Sequence, residues 1–505
     1  MNEQDYLFEP IPLNKLDTLS KDDFKVLVQG LQDTVLQLRK FNEELKQREQ
    51  DRSAKEILLE QQYIVLRSQF FGRSSERRPS ESLKEAHKRE QEKLPPKQRV
   101  QLPSLRYPHI PLIEKHVELK EIPGCTCCGK ILVDTEMTED SEQLSVIPKK
   151  FIVIRLKKHK YGCESCHETI VTVPTPPRIK PGSSYGDELI IDVAVAKYDY
   201  LLPIERYVRM AEDLGVTGLP QQSLIETTHY LADLLMPIYE GIKNEVLAAQ
   251  VLHADETPHR MLEGDKKKSW YLWGFSCEKS SYFELHSTRS GEVASKLLTE
   301  ACARYLVSDV YSGYKKALTD ANRERAQKGL AQIENLYCNA HARRKFNESK
   351  DVFPAESEYF LDQYERIYKA GATREEMRVI FTEMHARALE LVLEVPEKSV
   401  LGRGLSYFLK NYEGLTRYLE SENLPLDNNS QERQMRNPVV GRKTWYGTHS
   451  KRGAKTAAVM FTVIESCKLN GLNSNEYLEA QVENLNYNRQ AQTPAEFKIL
   501  NTQIQ

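Results

Sequence analysis

Nowhere does the 505-residue chain carry an apolar run approaching the roughly 18–20 residues that a helix needs to cross a bilayer, so no helical membrane span is expected. It also lacks an excess of charge of either sign. Lys and Arg total 71 against 73 for Asp and Glu, a net charge of −2. A nucleic-acid partner therefore cannot be inferred from overall charge and must show itself in local basic patches. Met1 to Pro10 lacks the basic start and apolar core of a signal peptide, which leaves a reducing cytoplasm as the expected location. The nine cysteines are odd in number and four of them form two close pairs, which favours metal binding or free thiols over disulfides. Tryptophan is scarce. Of the three, Trp270 and Trp273 are three apart on an expected strand, so at most one can face a core.

A chain this long divides into several domains. Residues 20–72 read as a helix. Leu31, Leu38, Leu45, Leu59 and Leu66 share a seven-residue register broken at Arg52, with Val28 and Val35 on the complementary seam. That repeat favours a self-associating coiled coil, against the alternative of a long amphipathic helix packed on its own protein. Residues 73–115 are charged and contain Pro79, Pro95 and Pro96, as a flexible linker would. Residues 116–178 combine short apolar strands with the paired cysteines and end in a Pro-rich run. Residues 180–246 are helical, and "LPIERYVRMAEDLG", a short "VTG" break and "LPQQSLIETTHYLADLL" suggest a helix-turn-helix.

Residues 247–470 change to α/β texture. "AQVLHADE", "SWYLWGFSC" and "SYFELHST" read as three consecutive strands, "GEVASKLLTEAC" as a helix and "RYLVSDVY" as a fourth strand. "IENLYCNA" and "HARRKFNESK" read as a fifth strand and its helix. This order suits a ribonuclease-H-like sheet. Residues from about 350 to 422 read as a helical insertion, helix resumes from Asn428 to about Leu469, and 471–505 form a C-terminal tail whose polar end, from Asn488, is expected to fray. The expected fold is thus multidomain α+β. It comprises an N-terminal coiled-coil helix, a small zinc ribbon, a helix-turn-helix-like helical domain and a ribonuclease-H-like α/β catalytic core with a helical insertion.

Two sets of residues carry chemistry. Cys125-x2-Cys128 and Cys163-x2-Cys166 place four thiolates in tight pairs, matching tetrahedral zinc. The gap between the pairs exceeds the common spacing of about 15–20 residues and implies a β-rich ribbon there. Such a closed site is structural. Cys127 and His167 remain possible substitutes for a neighbouring ligand.

The second set is acidic. Asp255 and Glu256 close one apolar run and Asp309 closes another. Acids that emerge together at a sheet end repel unless a hard cation such as Mg²⁺ neutralises them, although an acid after a strand is more often a helix cap or turn residue. Glu432 sits in the first turn of a helix, where the dipole alone would favour it. Arg433, Arg436, Arg442 and Lys443 follow, interleaving phosphate-binding groups with metal-binding ones. In "CNAHARRK", Cys338 and His341 are spaced like ligands, but two ligands make no site. His341 could instead contact DNA beside Arg343, Arg344 and Lys345.

"LHADETP", "VSDVYSGY", "YCNAHARRKF" and "LDNNSQERQMRNPVVGRKTW…ESCKLNG" resemble, in this order, the motifs of the insertion-sequence family sixty-six transposases. The "LRSQFFGRSSER" segment and the double Cys pair resemble that family's leucine-zipper and zinc segments. The likeness covers roughly residues 20–480; Asn339 and Cys127 depart from the pattern.

The resemblance implies a DDE transposase with Asp255, Asp309 and Glu432 as catalytic triad. That reading calls for catalytic Mg²⁺ (or Mn²⁺) held by the triad and structural Zn²⁺ held by Cys125, Cys128, Cys163 and Cys166. Its partners would be the terminal inverted repeats and target DNA, with a homodimer or higher assembly on DNA, accessory proteins encoded by the same element, and no membrane. The setting would be a bacterial cytoplasm, with association to the nucleoid when DNA-bound. Two other readings stay open: a non-catalytic DNA-binding regulator or scaffold, and a hydrolytic nuclease of the same fold.

Overall fold

The computed structural model describes residues 102–114, 127, 141–146, 149–162, 170–262, 269–369 and 371–504, with scattered helical positions between 21 and 43. The coiled-coil leucines and Cys125, Cys128, Cys163 and Cys166 lie outside the described residues. The chain forms two compact units. The larger holds residues 1–73, 178–202 and 227–505, and the smaller holds 74–177 and 203–226.

In the smaller unit, β1 (Lys160–Gly162) and β2 (Ile170–Thr172) pair antiparallel. Ser104 donates from both its amide and its hydroxyl to the Glu142 carboxylate at 2.7 Å. Four helices follow the hairpin in the chain: α1 (Asp187–Tyr198), α2 (Ile204–Asp213), α3 (Gln221–Leu234) and α4 (Met236–Ala248). Helix α2 belongs to the smaller unit and is amphipathic, burying Ile204, Tyr207, Val208 and Ala211 at helical spacing. The two helices suggested as a helix-turn-helix, α2 and α3, are both present. Their connection runs from Leu214 to Pro220, longer than the usual turn of about 3–4 residues, with Gly215 and Gly218 at positive φ.

The larger unit is built on a five-stranded mixed sheet of order β5-β4-β3-β6-β7. Strands β3 (Val251–Arg260), β4 (Ser269–Ser276) and β5 (Ser281–His286) form an antiparallel meander. Helix α5 (Glu292–Glu300) then crosses to β6 (Tyr305–Ser308), which lies parallel to β3. Helix α6 (Ser312–Gln327) leads to β7 (Glu334–Tyr337), parallel to β6, and α7 (Asn339–Glu348) leaves the sheet. All four residues of β6 are buried, as an apolar strand covered on both faces requires.

The acids at 255 and 256 do not end their strand, as the apolar run suggested. Pairing of β3 with β6 stops at His253↔Val307, whereas pairing with β4 continues to Arg260↔Ser269. Asp255 therefore lies just past the point where β3 outgrows its parallel neighbour, where a crevice opens in sheets of this kind.

The insertion consists of α8 (Pro354–Tyr368), α9 (Arg374–Glu394), α10 (Val400–Lys410) and the short α11 (Tyr412–Thr416). Its core is aromatic: Phe346 and Phe360 stack at 4.1 Å, with Tyr364, Phe381, Phe408 and Tyr418 around them. Tyr305, Val307 and Leu336 of the sheet join this cluster, so the insertion is anchored to the strands.

Helix after Asn428 is two elements, α12 (Asn429–Trp445) and α13 (Lys451–Leu469), because Tyr446 and Gly447 adopt positive φ and turn the chain. Helix α13 is buried and shields the edge strand. The hydroxyls of Thr462 and Ser466 accept the amides of Phe283 and Ser281 at 2.9 and 3.0 Å, satisfying groups that an open sheet edge leaves unpaired. Helices α14 (Ser474–Asn486) and α15 (Pro494–Ile504) complete the unit. The latter stands where a frayed polar tail was expected. Thr493 and Glu496 form reciprocal capping bonds around Pro494, a local start signal that outweighs polar composition.

Candidate active site

Side chains alternate along β3, so Asp255 and Glu256 face opposite ways. Glu256 is locked: Arg289 donates Nε and Nη2 to its Oε1 at 2.8 and 2.6 Å, and the Tyr314 hydroxyl donates to its Oε2 at 2.6 Å. Its side chain is 2% exposed; burial raises its carboxyl above the ordinary value, and the Tyr314 and Arg289 hydrogen bonds act the other way. Arg289 also lies over the Tyr311 ring at 4.0 Å.

Asp255 has no such cation. Its Oδ1 accepts the Glu256 amide at 2.9 Å. Burial first, then the charges of Glu256, Asp309 and Glu432, push its carboxyl up to about 7. Asp255 thus feels the charge of both other acids named from sequence. Asp309 follows β6, and its Oδ1 accepts the Tyr311 amide at 3.0 Å, turning the chain into α6.

Glu432 comes from α12, which is tied along β3 at three levels. At the helix start, the buried Asn428 donates Nδ2 to the Ala254 carbonyl at 2.9 Å, and its Oδ1 pairs with Nδ1 of His253 at 2.9 Å. Further along, Arg442 donates to Thr257 at 3.2 Å. After the helix, Thr448 bonds the Arg260 carbonyl at 3.0 Å. Gly274, the β4 partner of Asp255, permits this approach, because a Cβ there would collide with the Gln431 amide and meet the Met435 sulfur at 2.8 Å.

Sequence left Cys338 and His341 as an incomplete pair; the fold supplies a third member. Among the described residues, Cys338, His341 and Glu432 form the one group of three candidate ligands whose atoms all lie within 4.8 Å of one another. His341 Nδ1 faces Glu432 Oε1 at 3.6 Å, too long for a hydrogen bond. Burial holds His341 below its ordinary value, while the Glu432 charge acts the other way. Cys338 Sγ accepts the Asn428 amide at 3.2 Å, and burial pushes its thiol up to about 11.

The basic residues divide. Arg433, Arg436 and Lys443 form an exposed face of α12, and Arg344 is exposed on α7. Arg442 turns inward to Thr257, and burial lowers its pKa. Lys345 pairs with Glu348 at 3.3 Å, and Arg343 is half-buried. Trp273 is fully buried and Trp270 is not, as their three-residue spacing required. Trp445 packs edge-on to Tyr198 at 6.2 Å. Sequence reasoning missed Arg289, Tyr314, His253 and Gly274. Of these, only the small residue at Gly274, inside an otherwise bulky strand, carried a local signal.

The carboxylate oxygens suit hard divalent cations, and their mutual repulsion gives such ions a role. A family model described as "Transposase IS66 family" matches residues 182–456, more than half of the chain. A second, "zinc-finger binding domain of transposase IS66", matches residues 123–167, which include all four paired cysteines. The chain is also similar to uncharacterized proteins of Sinorhizobium fredii. It is 27% identical to y4hP over 70% of this chain and 69% of that protein, and 24% identical to y4jD over 75% and 77%.

Proposed function

The chain belongs to the IS66 family of transposases, and on that premise we propose that it cuts one DNA strand at the ends of a mobile element and joins the released 3′ hydroxyl to target DNA. What the family carries with it is coarser: a DNA-processing enzyme with a zinc segment, a divalent-metal requirement and DNA as partner. The finer reading rests chiefly on one observation. Asp255, Asp309 and Glu432 come from a strand, a strand end and a helix that the fold ties together, and Asp255 is left without a cation while its neighbour Glu256 has one.

In this reading the sheet is ribonuclease-H-like, and Asp255, Asp309 and Glu432 would hold two Mg²⁺ (or Mn²⁺) ions. Such ions, when bound, activate water and stabilise the attacking and leaving oxygens of phosphoryl transfer. The chain's own residues do the remaining work. The Asn428–His253 pair holds the start of α12 in register with β3, which aims Glu432 at Asp255. The Arg289–Glu256–Tyr314 network holds β3 from behind. Arg433, Arg436 and Lys443 on α12, and Arg343, Arg344 and Lys345 on α7, meet phosphates on either side. Cys125, Cys128, Cys163 and Cys166 would hold one structural zinc. The N-terminal helix would pair two protomers so that both element ends are processed together.

Asp255→Asn, Asp309→Asn and Glu432→Gln are expected to abolish cleavage of a labelled element end while leaving end binding in a gel-shift assay intact. Wild-type nicking by any one of them removes that residue from the triad. Incubation with pre-cut ends and target plasmid is expected to yield joined products; nicks without joining would make the protein a hydrolytic nuclease.

A further inference from the structure

We propose that the cleft along helix α10 of the insertion is a DNA-backbone site, gripping the processed strand on the Asp309 side of the active centre. This rests on the DNA-cutting reading above and extends it to the substrate. The cleft has a volume of about 570 Å³ and is lined by Lys398, Arg403, Tyr407, Lys410 and Asn411, with Glu397 as its one acid. Lys398, Arg403 and Lys410 are exposed, and none of them has a carboxylate partner among the described residues.

One contact ties the cleft to the helix that follows Asp309. Lys315, one turn into that helix, donates at 3.2 Å to Asn411, which lines the cleft. Tyr407 is half-buried, and burial first, then the charges of Cys338 and Asp309, push its phenol above its ordinary value, so its hydroxyl stays protonated and able to donate. On the far side, Gly404 brings α10 close to Lys345 of α7; a Cβ there would lie 3.5 Å from the lysine Cβ.

The physical need is clear from charge. A centre built of carboxylates repels a phosphodiester, and metal ions neutralise only the reacting phosphate. Flanking phosphates require cations of the protein, and the three that line the cleft, Lys398, Arg403 and Lys410, meet that requirement.

The test uses the full chain carrying Lys398→Ala, Arg403→Ala and Lys410→Ala together, with an element-end oligonucleotide as probe and affinity measured across a salt series. Each lost phosphate contact lowers the slope of log K against log salt by about 0.9 on duplex or about 0.7 on a single strand, so three contacts predict a drop of about 2–3. Asp255→Asn, run in parallel, is expected to keep the wild-type slope. Failure of the triad reading would thus appear in cleavage and failure of the cleft reading in the salt slope. An unchanged slope and affinity in a triple variant with wild-type thermal stability overturns the proposal. Restoration of one contact's worth of slope by Arg403→Lys in place of Arg403→Ala supports it.

Discussion

Asp255 and Glu256 are adjacent acids on one strand, yet the two faces of β3 treat them in opposite ways. On one face, an arginine and a tyrosine hydrogen-bond the buried Glu256 and the carboxylate becomes part of the framework. On the other, Asp255 has no cation among the described residues, and burial, then the charges of Glu256, Asp309 and Glu432, push its carboxyl up to about 7. A fold that satisfies one acid and leaves its neighbour unsatisfied marks the neighbour as the working group, since unrelieved repulsion persists only where something else relieves it.

Isosteric amides break the comparison most directly. Asp255→Asn should lower cleavage by at least about a thousandfold, the scale of losing several kcal/mol of transition-state stabilisation. Glu256→Gln should leave catalysis within about tenfold and instead lower thermal stability. Half-exposed Arg289 can rehydrate, so the cost is about 1–2 kcal/mol and not that of a fully buried broken pair. Equal losses of activity in the two variants would erase the distinction between the faces.

pH sharpens it. Between the ordinary aspartate range and about 7, the folded chain keeps a proton on Asp255 that the unfolded chain has lost. Metal-free stability therefore falls as pH rises through that window, and the penalty is complete above about 7. Asp255→Asn should raise the melting temperature of the metal-free protein at pH 8 and leave it unchanged near pH 4. Divalent-ion affinity, read by calorimetry, should weaken as pH drops below about 7, by at most about tenfold per unit, because the proton competes for the same oxygen. A flat profile from pH 5 to 8 would place the bound ion elsewhere.

The smallest perturbation tests the approach of α12. Gly274→Ala adds one methyl where Gln431 and Met435 already sit, at an overpacking cost of about 1–3 kcal/mol. It should weaken metal binding and cleavage together while preserving DNA affinity. Unchanged cleavage would mean that α12 need not sit this close for Glu432 to serve.

Much of the framework was legible before any coordinates. The β3–β4–β5 meander, the crossover to β6 and the helical insertion followed from residue periodicity and length, which are local properties. The acids at 255, 309 and 432 could be named from motifs. The capping box at Thr493–Glu496 is equally local and outweighs the polar composition around it. Other features had no local signal. That β3 continues past Asp255 depends on which neighbour pairs with which residue, and the fate of Glu256 depends on Arg289 and Tyr314, far along the chain.

By itself, then, the sequence determined most of the element types and named the paired cysteines and the three acids as candidates, because spacing and residue type carry that information along the chain. Tertiary structure alone decided that α12 lies against β3 through Asn428 and His253, 175 residues apart, and that Glu432 meets His341 and Cys338. It also decided that Asp255, and not Glu256, stands unpaired. Such meetings depend on directions in space, which a period of 2 or 3.6 cannot encode.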